Sequence, residues 1–155
     1  MNETNDLNKR VLVLVRTFKA PLKLVWEAWT QPEHIALWWG PRGMSTKVSE
    51  LDFRTGGRWK YIMTAPNGAR FESGGVFTEI ISYKKIVSTA DFEPVTHGVI
   101  ISALFEDLGN KTKLTFSVTH PTEEYCRKQE RMGVMNGWGA NFDELEKYLS
   151  SPNRA

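Results

Sequence analysis

Between Met44 and His120 the chain is a succession of β-prone segments separated by residue pairs suited to tight turns, and no other feature restricts the fold as much. Gly56-Gly57, Asn67-Gly68 and Gly109-Asn110 are small or tolerant of positive φ, as hairpin connections require, and Pro94 marks a further connection. Strands joined by such short turns pair antiparallel, so this stretch predicts a meander of about six strands. Two of them alternate plainly. Trp59, Tyr61 and Met63 oppose Arg58 and Lys60, while Leu114, Phe116 and Val118 oppose Lys113, Thr115 and Ser117. Each therefore has one face for a core and one for water.

The flanking segments have other patterns. Val11-Leu12-Val13-Leu14-Val15 is apolar at every position, which reads as a first strand covered on both faces or partly shielded on its outer one. Pro21 suits a first helical turn, and Leu22, Val25, Trp26 and Trp29 share one face of the helix that follows. Thr30 and Glu33 have capping-box spacing for a second short helix, ending at Trp39 with Gly40 as its left-handed cap and Pro41 preventing continuation. The last element is predicted as one helix from about Glu123 to Leu149, with Thr122 as N-cap and Glu123 and Glu124 at the positive end of its dipole. Tyr125, Met132, Met135, Trp138, Phe142, Leu145 and Leu149 form its apolar stripe. Gly133, Gly137 and Gly139 each cost such a helix roughly 1 kcal/mol relative to Ala, so packing on the sheet must hold it.

This order of elements predicts an α+β fold: a curved antiparallel sheet of about seven strands wrapped on a long C-terminal helix, with two short helices after the first strand. A concave sheet around a helix is expected to leave a largely apolar cavity. With 155 residues, no repeat and no Pro-, Gly- or Ser-rich linker, the chain is expected to form a single domain over residues 1–155, its ordered core about 10–149 with a polar tail at each end. Twenty basic against eighteen acidic residues, scattered along the chain, give a net charge of +2 and no phosphate-neutralising stripe, so nucleic-acid binding is not expected. The apolar run at Val11–Val15 is too short to span a membrane, and the single cysteine, Cys126, excludes an intrachain disulfide; the expectation is a cytoplasmic protein, monomer or homodimer.

Candidate site residues follow from the predicted cavity. Trp59, Tyr61, Met63, Phe77, Phe105, Met132, Met135 and Trp138 would line a pocket for a small apolar or aromatic ligand, the alternative being that they only fill the core. Trp38 and Trp39 read as structural residues at a helix end, and His34 as solvated surface. His97 and His120 lie near strand ends, where either could face a cavity mouth and move a proton. No histidine has metal-ligand spacing to another donor, so no metal and no cofactor is expected. Cys126 reads as an inert thiol, since Glu123 and Glu124 oppose a thiolate. Glu50, Asp52, Glu72 and Glu79 read as solvated charges on outer faces, and Gly56-Gly57 and Gly74-Gly75 as turns or bulges rather than phosphate loops.

Arg16-Thr17-Phe18-Lys19-Ala20-Pro21, Val25-Trp26, Thr30-Gln31-Pro32-Glu33, Trp38-Trp39-Gly40-Pro41, Gly56-Gly57, Met63, Asn67-Gly68, Gly75, Glu79-Ile80 and Gly137-Trp138 together resemble the bacterial homologues of the activator of the heat-shock-protein-ninety ATPase. The resemblance covers roughly residues 10–149 and implies the helix-grip fold of the START-like, or SRPBCC, superfamily. It further implies a hydrophobic ligand cavity under the last helix without a fixed chemistry. Three functions are consistent with it: binding of an apolar or aromatic small molecule, regulation of the heat-shock ATPase as a partner, and cyclase- or hydrolase-like catalysis by a polar cavity residue.

Overall fold

The computed structural model describes residues 9–40 and 43–150, so the expected polar tails and the stop at Pro41 lie outside the described residues. Seven strands, β1 (Val11–Phe18), β2 (Ser45–Leu51), β3 (Arg58–Thr64), β4 (Arg70–Ile81), β5 (Lys85–Glu93), β6 (Thr96–Asp107) and β7 (Thr112–Thr119), form one antiparallel sheet in the order β1-β7-β6-β5-β4-β3-β2. The six-strand meander is as predicted, and β1 returns to pair with β7 from Val11↔Thr119 to Phe18↔Thr112. The α+β expectation holds. β1 differs in one respect from its reading: only Leu12 and Phe18 of its inner face are fully buried, while Val13 and Val15 are 57% and 51% exposed on the other face.

Helices α1 (Leu22–Thr30) and α2 (Pro32–Trp38) follow β1. Pro21 is the extended N-cap of α1, whose buried face is Val25, Trp26, Ala28 and Trp29. The predicted capping box does not form. Thr30 instead donates its hydroxyl to the Trp26 carbonyl at 2.8 Å, and α2 starts from Gln31 with Pro32 in its first turn. There the missing N–H of Pro32 costs nothing, because the first amides of a helix have no intrahelical partner. Trp39 is the C-cap, and Gly40 takes φ +100.

The C-terminal segment is not one continuous helix. α3 (Glu123–Met132) begins at Thr122, whose hydroxyl accepts from the Tyr125 N–H at 3.1 Å as an N-cap should. It ends at Gly133, with φ 83 and ψ 27, whose N–H returns to Glu130 at 3.0 Å. A left-handed glycine closes a helix in this way, and a second helix, α4 (Val134–Ser150), restarts at once. The break rotates the expected stripe: Phe142, Leu145 and Leu149 are buried, whereas Met132 is 55% exposed. α4 is the long helix that the sheet wraps. Phe142 meets Phe116 of β7 at 5.2 Å and Phe18 of β1 at 6.4 Å, both edge-to-face. Arg16 of β1 fastens the outer side through Asp143 at 2.7 Å and the Gly139 carbonyl at 3.3 Å.

Candidate functional site

The space between sheet and helices is almost entirely filled. Trp29, Trp39, Trp59, Tyr61, Phe77 and Phe116 surround an interior void of about 30 Å³, room for no more than a water or two. Trp39 packs edge-to-face on Tyr61 at 5.0 Å and on Trp59 at 5.9 Å. Trp59 donates its indole N–H to Ser88 at 2.6 Å, and Trp39 donates to Ser73 at 3.3 Å, so these rings are pinned. Burial pushes the Tyr61 phenol well above its usual range and keeps it neutral.

Beside this void a larger cleft of about 250 Å³ opens where α4 restarts after Gly133. Its walls are Trp39, Met63, Phe92, Val95, Val134 and Trp138, with Gly40, Thr96, Gly137 and Asn141 completing it. Two polar links border it. Thr96 donates to the Gln129 side-chain oxygen at 2.5 Å, and Gln129 donates to the Val95 carbonyl at 3.1 Å, tying α3 to the β5–β6 turn. On the opposite wall the Gly40 N–H donates to the Asn141 side-chain oxygen at 2.6 Å, tying α4 to the segment after α2. Trp39 borders both spaces, and Trp138, which lines the cleft, lies 5.7 Å from it, 4.4 Å from Phe116 of the void and 5.2 Å from Phe92 of the cleft.

The predicted pocket residues divide accordingly. Trp59, Tyr61 and Phe77 border the void; Met63 and Trp138 border the cleft. Phe105 lines neither, because it is buried between Trp26 at 5.3 Å and Trp29 at 5.6 Å. Met135 packs partly buried against the core and lines neither space, and Met132 is turned outward by the break at Gly133.

His97 and His120 do not reach the cleft lining. His97 is exposed, its Nδ1 2.9 Å from Glu93, and its backbone N–H donates to the Tyr125 hydroxyl at 2.8 Å. His120 is buried against Tyr125, and burial lowers its pKa. His34 is not plain surface, since its Nδ1 meets the Tyr148 hydroxyl. Cys126 is buried, and burial pushes its thiol up, away from a thiolate. Asp52, Glu72 and Glu79 pair with Arg54, Lys60 and Lys85. Among the described residues no group of three or more His, Cys, Asp or Glu side chains could hold a metal ion, and no helix is long and apolar enough to cross a membrane.

Pattern reading passed over Asn141, Phe92, Val95, Thr96 and Val134 as cleft residues and read Trp39 as structural. A signal for Asn141 was present: it stands three residues after Trp138 and four before Leu145, so it is a polar residue on the apolar stripe. Trp39 carried no such signal, because a tryptophan at a helix end is equally suited to capping contacts.

Solved structures with this architecture cover nearly all of the chain. A protein of Arthrobacter aurescens superposes with a TM-score of 0.84 at 26% identity, covering 96% of this chain and 90% of that one. A Mycobacterium smegmatis protein gives 0.82 at 24% identity and 94% of each chain. An AHSA1-like protein from Aeromonas hydrophila gives 0.73 at 21% identity, covering 93% of this chain and 96% of that one. No curated protein matches the sequence significantly. The family described as Activator of Hsp90 ATPase homolog 1-like protein matches residues 19–150, which contain α1, α2, strands β2 to β7 and both C-terminal helices, and the chain belongs to that family.

Proposed function

We propose that this protein binds a compact, apolar or aromatic small molecule in the cleft at the start of α4. The observation that carries this reading is the cleft's makeup: about 250 Å³ walled by Trp39, Met63, Phe92, Val95, Val134 and Trp138, beside an interior too full to hold a ligand. Concave, mostly apolar spaces with a few polar groups are where small molecules bind, and the flexible Met63 lets the wall adapt to shape. The volume favours ligands of one to three fused rings over long-chain lipids or sterols, which exceed it.

The test is a thermal-shift series with one-, two- and three-ring aromatics, followed by amide NMR. A ligand present at a hundred times its Kd raises stability by about 2.7 kcal/mol, which a melting curve resolves. The expected result is a saturable shift with perturbed signals from Trp39, Phe92 and Trp138. Saturable binding without any change at those residues, or no shift across the series, overturns the reading. In the second case the family's description makes co-precipitation with the heat-shock ATPase the next measurement.

A further inference from the structure

We propose that Asn141 determines the ligand's chemistry, its Nδ2 group donating to a carbonyl or equivalent neutral acceptor on an aromatic ligand that approaches through the space left by Gly137. This deepens the reading of the cleft as a ligand site and rests on it.

The amide's orientation follows from one bond. The Gly40 N–H lies 2.6 Å from the side-chain oxygen of Asn141, and an N–H needs an acceptor there, so the oxygen faces Gly40 and the nitrogen faces away. Asn141 is only 7% exposed, and its Nδ2 is shielded from water with no hydrogen-bond partner. Buried donors are nearly always matched, so an unmatched one on a cavity wall points to a partner that arrives from outside.

The other cleft residues do not supply that partner. Met63, Phe92, Val95, Val134 and Trp138 bring only apolar side chains or an indole donor, and Thr96 is already engaged with Gln129. None of the side chains lining the cleft is charged, which disfavours an ionised carboxylate or an amine and leaves neutral acceptors.

Gly137 fits the same account. Gly137 stands one turn before Asn141 on the same face of α4, and both line the cleft. A Cβ built at Gly137 would meet nothing within 4 Å, and its backbone is not in the left-handed region, so neither crowding nor φ requires glycine there. What the missing side chain leaves is open space on the cleft wall one turn from Asn141. Nδ2 is shielded in this conformation, so binding as proposed includes a movement of Trp138, half-buried on the same cleft wall, to admit the acceptor.

The experiment compares acetylnaphthalene with isopropenylnaphthalene, which have the same shape but present C=O and C=CH₂ respectively. Both are titrated into isotope-labelled protein. The ketone is expected to bind about fivefold to tenfold more tightly, the range of one net hydrogen bond, and to move the Asn141 side-chain amide signal downfield where the alkene does not. Asn141→Leu brings the ratio to about one. Should that variant not fold, the amide signal of the unaltered protein decides. Gly137→Leu remains folded and loses both ligands. Equal affinities with an unmoved amide signal overturn this assignment and leave the cleft a ligand site; failure of both compounds to bind overturns the cleft reading and the assignment with it.

Discussion

The Nδ1 atom of His120 sits 3.1 Å from the carbonyl oxygen of Arg10, and because a carbonyl only accepts, this nitrogen carries the hydrogen. The other ring nitrogen, Nε2, is buried without a partner. Protonation would place a charge and an unmatched donor there, which is why burial lowers the pKa even though the Arg10 carbonyl opposes the shift. The linkage has a definite sign. The unfolded chain takes up a proton near the ordinary histidine value of about 6.5 and the folded chain only below it, so this group's stabilisation is complete above that pH and is lost as pH falls through the folded value. Urea midpoints are therefore expected to decline from pH 7 to pH 5.5 more steeply than those of a His120→Gln variant. Parallel declines would show that other groups dominate. The sequence placed His120 at a strand end, but whether that end faced a cavity or a helix depended on α3 packing across it.

Two glycines of the C-terminal element, four residues apart, serve opposite purposes. Gly133 has φ 83, a conformation in which an L side chain costs about 1–2 kcal/mol, and it ends α3. Gly137 lies inside α4 with open space where a Cβ would be, and there glycine costs about 1 kcal/mol relative to alanine. Gly133→Ala is expected to destabilise the protein by about 1 kcal/mol and Gly137→Ala to stabilise it by about as much, both read from chemical denaturation. A shared sign would contradict the break at Gly133. Apolar periodicity runs through residues 125–149 almost undisturbed, so a single helix was the natural reading of the sequence; a one-residue left-handed cap leaves little trace in such a pattern. Met132, placed on the buried stripe by that reading, is exposed for the same reason. The turns of the meander were easier to recognise because Gly56-Gly57, Asn67-Gly68 and Gly109-Asn110 state their backbone needs in their own chemistry. The connection from β4 to β5 was silent: it turns on Tyr83 at φ 63, a residue type that rarely adopts that conformation.

At the scale of the molecule, Trp138 lines the cleft and packs against both Phe92 of the cleft and Phe116 of the filled core, while Trp39 borders both spaces. Trp138→Ala is expected to cost about 2–3 kcal/mol, somewhat below the usual loss for a buried tryptophan because this one is half-buried, and to join the two spaces. Denaturation gives the first quantity. The second is visible as a preference for three-ring over two-ring aromatics that the unaltered protein lacks; unchanged size selectivity would mean that the neighbouring rings close the gap. The strands, the meander order of six of them and the two short helices were determined by the sequence alone, since turn residues, period-two alternation and helical stripes act within a few residues of one another, whereas the pairing of β1 with β7 and the break at Gly133 were not. So were Trp59, Tyr61 and Met63 as inward-facing positions. Which of the inward residues border a vacancy was decided only in three dimensions. The cleft is formed by Trp39, Met63, Phe92 and Trp138, which come from four separate parts of the chain. Its volume is a small difference between the space those elements enclose and the side chains that fill it. A shift of one helix by a fraction of a turn, such as Gly133 imposes, moves that difference from one set of residues to another, and no local pattern records it.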